Sequence, residues 1–174
     1  MCSPEQSRLM CSSVFDKIRS LLSGLNLPYK EIEHAPTFTS EESARARGEE
    51  LQVGAKAILM RIADDYRLFV LPADRRLDSS AIKRELGVKN MRFANREELL
   101  ELTGLVPGSV PPFGPPVLPF KLFCDTTVGT RRDRVAFNAG SLTVSIVMAA
   151  SDWEKAAKPS RFSFSKLTDE ASHG

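Results

Sequence analysis

The chain has 174 residues, 42% hydrophobic and 26% charged, proportions that suit one globular domain with a single buried core. Its 24 Lys and Arg against 22 Asp and Glu leave a formal charge of +2, too balanced to coat DNA through many phosphate contacts but compatible with reading a short nucleic-acid end. Cys2, Cys11 and Cys124 form no CxxC or Cys/His ligand pattern and no run of 18 apolar residues offers a membrane span, so the expectation is a soluble, cytoplasmic protein without disulfide framework or metal site.

Residues 1–10 are expected to fray. Val14, Ile18, Leu21, Leu22 and Leu25 recur at spacings of three and four, which predicts an amphipathic helix over 12–25, stopped near Gly24 and Pro28. Alternation over 29–33 predicts a short strand ending at His34-Ala35-Pro36. Thr39 with Glu42 is a capping-box pattern for a short helix that runs through Ala44 to Arg47 and closes at Gly48. The apolar runs 56–62 and 67–71, separated by Asp64-Asp65, predict a β-hairpin at the centre of the sheet. Asp78 and the Asn95/Glu98 pair cap two further helices that stop at Gly87 and Gly104. Strands are then predicted at 119–124, 134–138 and 142–148, followed by a short helix from Trp153 to Ala157 and a flexible tail over 168–174. Strands come in neighbouring groups rather than in strict βαβ alternation. The fold class is therefore α+β: a single compact domain over 11–167 with a mixed, mostly antiparallel sheet ringed by helices.

The sequence lacks the Walker-type, dinucleotide, zinc-protease and serine-hydrolase signatures. Gly108-Ser109-Val110-Pro111-Pro112-Phe113-Gly114 brackets prolines with glycines, and reads either as a rigid ligand-facing loop or as a plain connection. Lys56 opens an apolar strand and reads either as a snorkelling lysine or as a phosphate contact, because a cation at the mouth of a buried strand favours an anionic visitor. His34 is a turn residue or a catalytic imidazole, and Asn138 in Phe137-Asn138-Ala139-Gly140 a turn former or a pocket amide. Lys83, Arg84, Lys89, Arg131, Arg132 and Arg134 form a basic rim or a set of solvated charges.

Taken in order, Glu33-His34-Ala35-Pro36-Thr37, Ser40-Glu41-Glu42-Ser43-Ala44, Gly54-Ala55-Lys56-Ala57-Ile58-Leu59, Gly108 through Gly114 and Phe137-Asn138-Ala139-Gly140 resemble the YbaK/ProX aminoacyl-tRNA deacylase family. These are free-standing relatives of the editing domain of bacterial prolyl-tRNA synthetases, and the resemblance covers residues 14–158. It implies hydrolysis of the ester that joins a wrong small amino acid, such as Ala, Ser, Thr or Cys, to the 3′ CCA end of tRNA, with no metal or organic cofactor. It assigns Lys56 to the phosphate backbone of that end and the Gly108/Pro112 GxxxP motif to a carbonyl-orienting or oxyanion role. Asn138 falls on the pocket wall, and His34, Thr37, Ser109, Pro111, Phe113, Gly114 and Ser145 fall among the substrate-binding positions. The resemblance also implies that a ribose hydroxyl of the substrate helps orient water, which would account for the missing protein nucleophile. Ala57 stands where alanine-specific members carry Asn, and Ser145 where cysteine-specific members carry an acid, so neither specificity transfers. The resemblance also makes an aminoacyl-tRNA synthetase a partner. The alternative function is a non-catalytic module that binds a tRNA end or a synthetase.

Overall fold

The computed structural model describes residues 13–168. The stretch 1–10 expected to fray, and the predicted tail beyond residue 168, lie outside them. Ser13 accepts a hydrogen bond from the Asp16 amide and opens α1 (Val14–Gly24), which buries Ile18 and Leu22. β1 (Lys30–Glu33) leads to α2 (Ser40–Arg47), capped by the Thr39 hydroxyl at the Glu42 amide and ended by the left-handed Gly48. The Glu42 carboxylate reaches the amide of Phe38 at 2.8 Å rather than that of the cap residue itself, so the box closes one residue early and fixes the backbone of Phe38.

A 3₁₀ turn (Leu51–Val53) feeds the hairpin β2 (Ala55–Ile62) and β3 (Asp65–Pro72), paired antiparallel from Ala55↔Pro72 to Ile62↔Asp65. Next come β4 (Arg75–Leu77), α3 (Ser79–Leu86), β5 (Met91–Phe93) and α4 (Arg96–Thr103), the two helices capped by Asp78 and by a full Asn95/Glu98 capping box. After the proline segment follow β6 (Lys121–Asp125), β7 (Arg134–Asn138), β8 (Val144–Ala149), α5 (Ala150–Ala157), β9 (Ser160–Phe162) and β10 (Ser165–Leu167).

The strands divide into a five-stranded sheet ordered β5-β2-β3-β6-β9, a three-stranded sheet ordered β1-β8-β7 and the pair β10-β4. Only β3–β6 and β6–β9 run parallel, so the arrangement is the mixed, mostly antiparallel α+β fold expected, divided over several sheets. Alternation along the hairpin builds a core on each face of the large sheet. Leu59, Leu68 and Val70 pack with α1, Phe113 and Phe137 on one face, while Met60, Phe69 and Leu71 pack with Ile82, Phe123 and Phe164 on the other. A hairpin covered on both sides reads as unbroken apolar runs, which is why it was legible. No helix among the described residues is long and apolar enough to cross a membrane.

Gly54 joins the sheets. It forms an isolated parallel bridge to Ala136, and a Cβ there would lie 2.9 Å from the Cβ of Ala73 and 3.3 Å from the Leu51 carbonyl, so only glycine fits. This close approach sets the first residues of β2 beside β7, whose last residue is Asn138.

Candidate functional site

Where β2 begins and β7 ends, a cavity of about 210 Å³ opens between α2, the start of β2 and the turn at Gly108. Lys56, Gly108, Asn138 and Thr37 all line it, so the cation and the glycine turn share one space. Lining side chains include hydroxyls, one amide, Arg47 and Lys56, but no carboxylate, imidazole or thiol.

Lys56 is half-buried, and its ammonium makes no hydrogen bond or ion pair among the described residues. Burial draws it below the usual lysine range, against the through-space pull of Asp74 and Glu41. Asp74 is already held bidentately by Arg131 at 2.6 and 2.7 Å. The cavity therefore presents a partly desolvated positive charge whose nearest competitor is engaged elsewhere, the state in which an entering phosphate gains most.

Behind this wall lies a polar network. Asn138 donates Nδ2 to the Gly108 carbonyl at 2.7 Å, and its Oδ1 accepts from Arg47 Nη2 and from the Ser145 hydroxyl, each at 3.0 Å. Arg47 Nε donates to Ser145 Oγ at 2.9 Å, and His34 Nε2 lies 2.8 Å from the same oxygen. The His34 ring is held between two oxygens, with Nδ1 also 2.9 Å from the Ala35 carbonyl. His34 and Ser145 do not line the cavity and reach it through Asn138. Burial draws the Arg47 guanidinium down to about 10, with Glu49 opposing, so it stays cationic at neutral pH. Sequence reasoning missed Arg47: a basic residue in the last turn of a short polar helix reads as a complement to the helix dipole. Phe38, a cavity residue that is 76% exposed, was also missed, the signal being an apolar residue just before a helix cap.

The remaining sequence-predicted residues form the backing of the turn and do not line the cavity. Ser109 is buried and closes a local loop, its hydroxyl donating to the Val106 carbonyl at 2.7 Å and accepting from the Val106 amide at 3.2 Å. The Pro111 carbonyl accepts from the Phe113 amide, and the Pro112 carbonyl from Trp153 Nε1 at 3.0 Å. The Phe113 ring meets Phe137 edge-on in the core, centroids 5.4 Å apart. Gly114 allows a close approach, since a Cβ would sit 2.8 Å from the Phe120 carbonyl. The proline segment is thus filled by core side chains and tied to α5 at the Pro112 carbonyl, and Gly108 adopts φ +88°. Among the described residues the amides of Gly108 and Val110, both cavity residues, make no backbone hydrogen bond.

Of the candidate rim, Arg131, Arg132 and Arg134 are neutralised by Asp74, Glu50 and Glu49. Among the described residues no group of three or more His, Cys, Asp or Glu side chains is placed to hold a metal.

A family model for the aminoacyl-tRNA editing domain matches residues 34–156, a span that holds every cavity residue. The chain belongs to the aminoacyl-tRNA editing domain family. It is 31% identical over 158 residues to the multifunctional Ser/Thr-tRNA deacylase ProXp-y of Escherichia coli K12, covering 88% of this chain and 93% of the relative. It is 27% identical over 154 residues to the prolyl-tRNA editing protein ProX of Acetoanaerobium sticklandii, covering 84% and 92%. In three dimensions it superposes with a TM-score of 0.75 on a candidate trans-editing enzyme for prolyl-tRNA synthetase at 22% identity, covering 95% of this chain and 99% of that structure. As an editing domain, the chain has its family-matched segments meeting at the Gly54–Ala136 bridge.

Proposed function

We propose that the chain is a trans-acting aminoacyl-tRNA deacylase that hydrolyses the ester of mischarged tRNA, with Ser or Thr as the amino acid removed. Family membership and the deacylase relative that aligns along nearly its whole length support the reaction class. The observation that carries the site is the shared cavity of Lys56, Gly108 and Asn138.

In this reading Lys56 binds a phosphate of the 3′ CCA end, the role that an unpaired, partly desolvated ammonium suits. The Gly108 and Val110 amides donate to the carbonyl oxygen as negative charge develops on it. Asn138 and Arg47 hold that turn in place. Water adds to the carbonyl carbon, the tetrahedral intermediate collapses, and the ribose oxygen leaves with a proton. The lining has no ordinary protein base, which fits a step whose proton transfers use water and the substrate's own hydroxyl. The exposed Phe38 ring offers a stacking face to the terminal base.

The cavity is smaller than the roughly 300–1,000 Å³ of usual ligand pockets, so it suits a small amino acid. Thr37 Oγ1 and Ser43 Oγ, paired at 2.8 Å and both buried, give it a hydroxyl-bearing wall. Such a wall favours a substrate hydroxyl over its absence, which supports Ser and Thr over Ala. We place the activity in the cytoplasm and keep a synthetase as the candidate delivery partner.

The test is a deacylation panel with tRNAs charged with Ser, Thr, Ala, Cys and their cognate amino acids. Release of Ser or Thr with cognate esters left intact is expected. A panel left wholly uncleaved at high protein concentration would falsify the enzymatic reading and leave the non-catalytic module.

A further inference from the structure

We infer that a second groove, bounded by Arg61, Lys83, Lys89 and Arg92, docks the phosphates of the tRNA acceptor stem. The inference rests on the deacylase reading, because it names where the rest of that substrate lies. The groove encloses about 320 Å³, and Asn90 and Met91 complete most of its wall. No carboxylate lines it.

Most of the charge that lines this groove is unpaired. Arg92 is engaged by Glu98 at 2.6 Å. Arg61, Lys83 and Lys89 have no ion-pair partner among the described residues. The arginines of the other half of the predicted rim are each neutralised by a carboxylate. Three unpaired cations thus share one groove whose lining holds no carboxylate, an arrangement that can attract and position a polyanion.

β2 acts as the ruler between the two sites. Ile58 lines the cavity and Arg61 lines the groove, on one strand. Along β2 the cavity lining ends at Ile58 and the groove lining begins at Arg61, three residues or roughly 10 Å of backbone apart. In this proposal the charged end occupies the cavity and the first paired phosphates follow it toward the groove. Lysine ammonium groups bind phosphate as point charges without reading bases, so the groove positions any acceptor stem alike and the cavity selects the amino acid.

The test uses the full chain, comparing wild type with Lys83→Glu/Lys89→Glu and the milder Lys83→Gln/Lys89→Gln. Two substrates are compared: a mischarged full-length tRNA, and the same aminoacyl ester on a trinucleotide CCA too short to leave the cavity region. For the charge-reversed variant, kcat/KM on tRNA is expected to fall about thirtyfold, with the trinucleotide unchanged. The neutral variant is expected to lower the salt slope of log Kd for uncharged tRNA by about two. Equal loss on both substrates, or no loss on tRNA, overturns the proposal. Loss of synthetase binding with tRNA binding intact overturns it too, assigning the groove to a protein. If wild type cleaves neither ester, the deacylase reading falls, while the tRNA-binding slopes still decide for or against the groove.

Discussion

Asn138 donates to the carbonyl of Gly108 at 2.7 Å, a bond that spans 30 residues of sequence and ties the end of β7 to the turn that frames the cavity. The amide cannot be flipped, because Arg47 and Ser145 both present donors to Oδ1. Asn138→Ala would strand the Gly108 carbonyl and leave Arg47 short of an acceptor, at a cost of about 1–3 kcal/mol. Misplacing the turn is expected to lower kcat/KM for mischarged tRNA by up to about a hundredfold. Asn138→Asp keeps the acceptor for Arg47 but sets a carboxylate against a carbonyl, so it should lose comparable activity with a smaller drop in melting temperature. Wild-type kcat/KM in both variants would remove Asn138 from the working site.

Lys56 is predicted to trade stability for function. Its half-buried ammonium is drawn below the usual value of 10.5, so the unfolded chain holds that proton more tightly. Stability from this group accordingly rises with pH as it climbs through the window below 10.5. Lys56→Met should abolish that gain, raise unfolding free energy at neutral pH by on the order of 1 kcal/mol, and lower tRNA turnover at least tenfold, mainly through KM. Denaturant melts across pH, run beside deacylation assays, check both halves. A variant that is less stable and fully active would contradict the assignment.

Gly108 holds φ +88°, yet the Cβ of a substituted residue would meet only Leu142 Cδ2 at 3.5 Å, an ordinary contact. Backbone strain rather than crowding therefore sets the cost of Gly108→Ala, about 1–2 kcal/mol. Because relief of that strain would rotate the adjoining amides, kcat is expected to fall more than KM rises. Stopped-flow single-turnover deacylation separates the two, and a pure KM effect would argue against an oxyanion role for the turn.

How far the sequence reached depended on the range of the forces involved. Asp78, Asn95 and Gly104 act within a few residues of themselves, so the helix ends were legible, as was the hairpin whose two faces are both covered. β9 and β10 were not, being three residues each and held in place from a distance. The buried carboxylate of Asp125 accepts from the amides of Phe164 and Ser165, both at 2.8 Å, an arrangement with no local signature. The same distinction divides the site. Lys56 and Asn138 stood out as polar residues on apolar strands, whereas Arg47 acquires its role only when α2 turns its last residue toward β7 and β8. The proline segment, read as a ligand-facing loop or a plain connection with Phe113 among the substrate-binding positions, instead turns Phe113 toward Phe137 in the core, a long-range packing choice with no local signature.

Glu98 links β5, α4 and β3 and should dominate part of the acid limb of stability. Arg92 and then Tyr66 hold its carboxylate down to about 2, and it also closes the capping box at the Asn95 amide. A group held below its ordinary value of 4.5 stabilises fully above that pH, and the contribution is lost as pH falls from 4.5 toward about 2, because the unfolded chain takes up the proton first. Glu98→Gln preserves an acceptor for the cap but removes the charge that Arg92 pairs with. The variant is expected to melt lower than wild type at pH 7 and to converge with it near pH 2, with Tyr66→Phe giving a smaller shift of the same sign. Thermal melts across that range measure the convergence; parallel curves for the two proteins would show that the Arg92–Glu98–Tyr66 cluster is not coupled to folding.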